Sequence, residues 1–449
     1  PYLEDDDPWT YVREMKYIAM EKTLDVPFFR QVNYLDPYPP GYVLLLGIFH
    51  QTSPEAQWTI KFFNSLLISL SVVFFFFMVQ AVTKNRMAAL MSTFTLAMIP
   101  SYLSHFIWAH ALVPLLFMLL VYAFMKMDED KRWWIMAMFI TAAMFLTHHK
   151  QVIKLMIMAS LFIGVKWILE KKFPREWVVS LVSGGILSLS WWALKFTNLV
   201  KMVTYNVEEI SPTITAEQST SKFFRILHKL PSVLSPTGGT GTRAYTFNDF
   251  FITKSSNMIN APIGWGIAIS ILLLVGLIVM VVKYRKMVVN EKQWTVTVLL
   301  WFIFNFLLVN SETFHLPFGL DGFRSWMLLA LPVSIIAAYG TVSLWEGVGW
   351  LSRFSFISRF KIHYGIIGII IVLVVGGMIY TSGIPKYQYN TSPGWPPGGK
   401  WSSLQELQGY VWMKDNLPLN TKVFSYGPHT NVVIGFDKFA CVWCEEFRT

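Results

Sequence analysis

Between residues 57 and 382 the chain turns apolar ten times, each time for about the roughly 20 residues a helix needs to cross a bilayer. The runs fall at about 57–82, 87–104, 108–125, 133–147, 150–168, 177–198, 262–282, 294–310, 323–347 and 364–382. Hydrophobic residues make up 54% of the 449 and charged ones 14%, against about 25% charged in a soluble domain. Such a chain cannot cover its apolar surface with polar groups, so lipid must cover it. Disorder, coiled coil and collagen are excluded. Two cysteines, Cys441 and Cys444, are too few for a disulfide-stapled scaffold. The fold expected is an all-α polytopic membrane protein of about ten transmembrane helices, with outer-face loops and the start of an α/β soluble C-terminal domain. The chain begins at Pro1 without a Met or a signal peptide, as a trimmed chain would.

The net charge of +10 is mostly a label of sidedness. Lys84, Arg86, Lys126, Lys131, Arg132, Lys171, Lys172, Arg175, Lys283, Arg285, Lys286, Lys292, Arg353, Arg359 and Lys361 fall in five short loops on one face, 15 of the 37 basic residues. The positive-inside rule makes that face cytoplasmic, in a prokaryotic plasma membrane. No nucleic-acid partner is expected. Five regions follow: a first outer loop with interfacial helices (1–53), an N-terminal transmembrane bundle (54–198), a long outer loop (199–261), a C-terminal transmembrane bundle (262–383) and an outer soluble domain (384–449).

Residues 9–24 place Val12, Met15, Ile18 and Ala19 on one face, the pattern of a helix lying at the membrane surface. Ser403-Leu404-Gln405-Glu406 reads as a capping box opening a helix to about Asp415. Lys422–Tyr426 and Asn431–Phe436 read as strands.

Functional candidates are sparse and gather on the outer side. Glu4-Asp5-Asp6-Asp7-Pro8-Trp9 clusters carboxylates that suit a hard divalent cation or deprotonation of an acceptor. His105 and His110 lie between the second and third spans, His148 and His149 between the fourth and fifth; imidazole binds metal, moves protons or bonds phosphate. Arg324 opens an apolar span, where an arginine is costly unless paired or snorkelling, and its guanidinium suits phosphate. Glu217 stands in the long outer loop.

Asp7-Pro8-Trp9 with Arg13 and Tyr17, Tyr38-Pro39-Pro40-Gly41, Ile214-Thr215-Ala216-Glu217 and Phe323-Arg324 resemble motifs of the membrane-embedded C-type glycosyltransferases. Within that superfamily the chain resembles the catalytic subunit of archaeal and bacterial oligosaccharyltransferase. The resemblance implies a helix ahead of Pro1 and a divalent cation, Mg2+ or Mn2+, held by Asp5, Asp7 and Glu217. It implies catalysis by Asp7, and substrate binding by Trp9, Arg13, Tyr38 and Arg324, the last on the carrier phosphate. His105 and His110 stand where the family carries an acidic pair, and they are assigned its catalytic place. The family's W-W-D-Y-G stretch is absent.

The function implied is transfer of a glycan from a polyprenyl (dolichyl) phosphate or pyrophosphate carrier to an acceptor, protein asparagine or a lipid, at the outer face. A single-sugar C-type transferase acting on lipid or surface polymer is one alternative. A transporter or flippase of lipid-linked precursors is another; it predicts inverted repeats and polar residues at mid-membrane, and no repeat is visible.

Overall fold

The structure, a computed structural model, describes residues 6–24, 38–53, 55–102, 107–195, 243–253, 264–316, 322–351, 362–391, 404–424 and 430–441. The helices are α1 (Asp6–Glu21), α2 (Gly41–His50), α3 (Ala56–Thr83), α4 (Arg86–Met98), α5 (Leu112–Lys126), α6 (Trp133–Phe145), α7 (His149–Glu170), α8 (Arg175–Leu194), α9 (Phe247–Phe251), α10 (Ile267–Lys283), α11 (Val289–Val309), α12 (Gly322–Leu351), α13 (Ile362–Met378), α14 (Ile384–Thr391), α15 (Leu404–Asn416) and α16 (Thr430–Gly435). Two strands, β1 (Lys422–Phe424) and β2 (Phe439–Cys441), pair in parallel with Lys422 opposite Phe439. A helix occupies each of the ten apolar intervals, and eight helical segments among the described residues are long and apolar enough to cross a membrane. The chain is an all-α, multi-pass membrane protein.

The second span is shorter than its hydropathy suggests, because α4 ends at Met98 rather than near 104. Pro100 disfavours helical backbone at Ile99, which is extended at φ −67°, ψ 121°. The carbonyl of Ala97, left over at this end, accepts from Lys386 Nζ at 3.0 Å, as does that of Tyr102. Lys386 comes from α14, which continues α13 through a π-helical turn at Ile379–Gly383.

Helix α12 sits at the centre of the bundle, with Leu328 to Leu331 and Ile335 to Ala338 all buried. It meets α10 through two glycines. A Cβ on Gly340 would run into the Leu272 carbonyl oxygen, and one on Gly276 into that of Ile336. Small residues at such a crossing let two membrane helices touch backbone to backbone. At the basic-loop end, Lys283 of α10 bonds Glu346 of α12 at 2.8 Å. There too Lys166 joins Asp128 and Glu170 (3.0 and 2.8 Å) beneath the ring of Trp177.

Two expectations are corrected. Thr430–Gly435 forms helix α16 where a strand was expected over 431–436; parallel strands need a crossover, usually helical, and α16 supplies it between β1 and β2. Helix α1 does not lie bare at a membrane surface: Trp9, Tyr11, Val12, Glu14, Met15 and Ile18 are all buried. Protein covers it on more than one side. Val12, Met15 and Ile18 join the core shared with α2, and Trp9 takes the other side against Phe436, ring centroids 4.6 Å apart. Lys16 ties the same junction, donating to the Gly435 carbonyl at 2.8 Å and to Asp437 at 2.6 Å.

Overpacking a close crossing costs about 1–3 kcal/mol. Gly340→Leu and Gly276→Val should each lower the thermal unfolding midpoint of the detergent-solubilised protein by several degrees. Gly347→Ala, where an added Cβ meets open space, should leave it unchanged.

Candidate active site

Three breaks in the helical pattern bring polar side chains together at the end of the bundle opposite the basic loops. The first precedes α5, where Ala109–Ala111 makes one 3-10 turn carrying His110. Its position is fixed by the Ala109 N–H, which donates to the Tyr11 hydroxyl of α1 at 3.2 Å. The second lies between α6 and α7. The Leu146 carbonyl at the end of α6 accepts from the Gly41 N–H at 2.7 Å, and a side chain at Gly41 would collide with it. Tyr38-Pro39-Pro40-Gly41 is therefore laid against this junction, which sets the Tyr38 ring edge-on to His148 at 5.8 Å. His148 caps α7, its Nδ1 accepting from the Gln151 N–H at 3.3 Å.

The third break is the start of α12, where Arg324 and Ser325 stand in the first turn. The Arg324 guanidinium lies 5.6 Å from the centre of the Trp108 ring, a cation–π contact. Trp108 stacks obliquely on His110 at 4.7 Å, and His110 meets His148 edge to face at 5.6 Å. Lys154, one turn into α7 and 1% exposed, donates to the Ser325 hydroxyl at 2.9 Å. Arg324, His148 and Lys154 are the charged or ionisable neighbours that act on His110. One connected cluster results: Tyr38, Trp108, His110, His148, Lys154, Arg324 and Ser325.

An aromatic layer holds the first turn of α12 from behind. Trp326 touches Tyr245, Phe250 and Trp265 at ring distances of 5.3, 4.8 and 5.8 Å. Tyr245 and Phe250 come from residues 243–253, inside the interval read as the long outer loop. There Arg243 bonds Asp249 (3.1 Å), and Thr246 forms a capping box with the same carboxylate. Burial alone would push the Asp249 carboxyl up, but hydrogen bonds from Arg243 and Thr246 outweigh it and hold it below the usual carboxylate range.

Of the residues singled out in the sequence, the structure brings Arg324, His110, His148 and Tyr38 to this cluster. Trp9 and Tyr11 are two residues apart on α1 and so face nearly opposite ways: Tyr11 meets Ala109, and Trp9 packs into the C-terminal unit. Arg13 lies 3.7 Å from Glu14. Asp7 occupies the helical position one turn before Tyr11. Asp5, His105 and Glu217 lie outside the described residues, as does Cys444. Lys154, Ser325, Trp108, Tyr11 and Gln151 are residues that reading the sequence passed over. The usable signal was Lys154 itself, since an ionisable residue inside a span is a functional candidate by default.

Among the described residues no three His, Cys, Asp or Glu side chains converge to hold a metal. The groups around Arg324 are cationic, imidazole and aromatic. That set suits an anion, whereas a hard divalent cation takes oxygen ligands.

No protein-family model matches the chain, and no curated protein matches it by sequence. By structure the chain is similar in fold to solved proteins. It aligns over 98% of its length with the crystal structure of ArnT from Cupriavidus metallidurans bound to undecaprenyl phosphate, at 10% identity and a TM-score of 0.56, covering 82% of that protein. For ArnT in the apo state the values are 98%, 9%, 0.55 and 81%.

The Lys154–Ser325 contact can be tested by stability. Leaving a buried amine one partner short costs about 1–3 kcal/mol, whereas replacing it by an apolar side chain of similar volume is often neutral or stabilising. Ser325→Ala should therefore lower the unfolding midpoint by several degrees, and Lys154→Met should match or exceed wild type by the same fluorimetric measurement.

Proposed function

We propose that this chain is a membrane transferase that moves a glycosyl group from a polyprenyl-phosphate carrier to an acceptor. The observation that carries this reading is that Arg324 and Lys154, from two different helices, both neighbour His110 at one end of an apolar bundle. Two cationic side chains beside lipid-facing helices suit a phosphate that arrives on a lipid tail. The fold shared with ArnT, a protein crystallised with undecaprenyl phosphate, supports the same donor class.

In this reaction the bond between the anomeric carbon and the phosphate oxygen breaks, and the carrier phosphate leaves with added negative charge. Arg324 and Lys154 stabilise that charge where it develops. Arg324 contributes a planar fork matched to phosphate oxygens, and the Trp108 face supports its guanidinium. Asp7 accepts the proton of the acceptor group, from a position one helical turn ahead of Tyr11.

Tyr38-Pro39-Pro40-Gly41 and Asp7-Pro8-Trp9 favour protein asparagine as the acceptor. A second reading, single-sugar transfer to a lipid or surface polymer, is favoured by the absence of the W-W-D-Y-G stretch. A product assay that offers sequon peptides and lipid acceptors side by side separates the two.

In proteoliposomes supplied with undecaprenyl-phosphate-linked sugar, Arg324→Ala and Asp7→Asn should each lower transfer about 100-fold or more. Near-wild-type transfer by both variants would overturn the assignment.

A further inference from the structure

We propose that Gln151 is a specificity-determining residue that reads the ring hydroxyls of the donor's glycosyl group; this rests on the transfer reaction above and assigns its sugar side. Among the buried polar atoms in this part of the molecule with no hydrogen-bond partner among the described residues are Nε2 and Oε1 of Gln151 and Nε2 of His110. Gln151 is 1% exposed and His110 3%. Buried polar groups are nearly always bonded, and leaving three bare inside an apolar bundle is expensive. The arrangement is complete when a polar occupant supplies the partners.

The atoms specify the occupant's chemistry. A side-chain amide offers two N–H donors and a carbonyl acceptor. Phosphate oxygens only accept, so a phosphate would serve Nε2 of Gln151 and leave Oε1 bare. A hydroxyl donates and accepts, so a pair of neighbouring ring hydroxyls satisfies both ends of the amide and reaches the imidazole as well.

Placement separates the two roles. Gln151 stands three residues before Lys154, on the same face of α7 and one turn nearer its start. Helical side chains lean toward the N-terminus, which carries the amide toward the His148 end. The Gln151 N–H is bonded to His148, whose ring lies 5.6 Å from that of His110. The uncharged side of the cluster is thus Gln151, His148 and His110, and the cationic side is Lys154 and Arg324. A phosphate held on the cationic side presents the sugar attached to it toward the uncharged side. The ligand class is a glycosyl group with free ring hydroxyls, joined through its anomeric carbon to a lipid phosphate. A pocket that bonds hydroxyls rejects ligands lacking them.

The test is binding by the full chain in lipid nanodiscs. The probes are undecaprenyl phosphate and its glucosyl, mannosyl and galactosyl derivatives. Wild type should bind at least one glycosylated carrier about tenfold more tightly than the bare carrier. Gln151→Leu should erase that preference while leaving affinity for the bare carrier unchanged, and Arg324→Ala should weaken all four probes alike. Gln151→Met, closer to glutamine in shape, carries the same test if the Leu variant does not fold. The assignment is overturned if wild type shows no preference for any sugar, if the Gln151 variants keep the preference, or if they lose the bare carrier in equal measure. Wild type that binds none of the four probes defeats the transfer reading itself, a result distinct from failure of the sugar assignment alone.

Discussion

The backbone contact between α10 and α12 at Gly276 and Gly340 fixes the central helix, and the central helix fixes the site. Arg324 and Ser325 occupy the first turn of α12, so their depth in the membrane depends on that helix neither sliding nor tilting. Glycine is required at the crossing because the neighbouring carbonyl oxygens occupy the space of any side chain. The aromatic layer of Tyr245, Phe250, Trp265 and Trp326 braces the other end of the same lever. Packing and chemistry therefore share a single element here.

The site divides by charge. Arg324 and Lys154 come from different helices, and each keeps a contact that the bundle itself supplies, Trp108 for one and Ser325 for the other. The imidazoles and the Gln151 amide stand on the remaining side. A transferase that holds a charged carrier and a neutral sugar needs both kinds of surface next to each other.

The helices were largely legible in the sequence, because lipid demands long apolar runs and little else competes with that signal. Their ends were less so: α4 stops at Pro100, a local steric effect that hydropathy does not weigh. Residues 431–436 read as a strand because Val432, Val433 and Phe436 are apolar, yet that character serves packing of a short helix against Trp9. At the site, Arg324, His110, His148 and Tyr38 were visible because each departs from its surroundings or stands in a short motif. Lys154 carried a signal only as an ionisable residue inside a span. Ser325, Gln151, Trp108 and Tyr11 were not legible, since they matter only through neighbours from other helices. Tyr11 acquires its role from a contact with Ala109, 98 residues away.

Helices α4 and α6 are 13 residues each, about 20 Å long, in a hydrocarbon layer of about 30 Å. Both begin at the basic-loop end, and the segments that follow them carry His110 and His148. Neither helix alone spans that thickness. His110 and His148 instead take their height from the segments they open, Ala109–Lys126 of 18 residues and α7 of 22, each about long enough to cross that layer, so the two histidines stand level through the helices that follow them and not through the ones before.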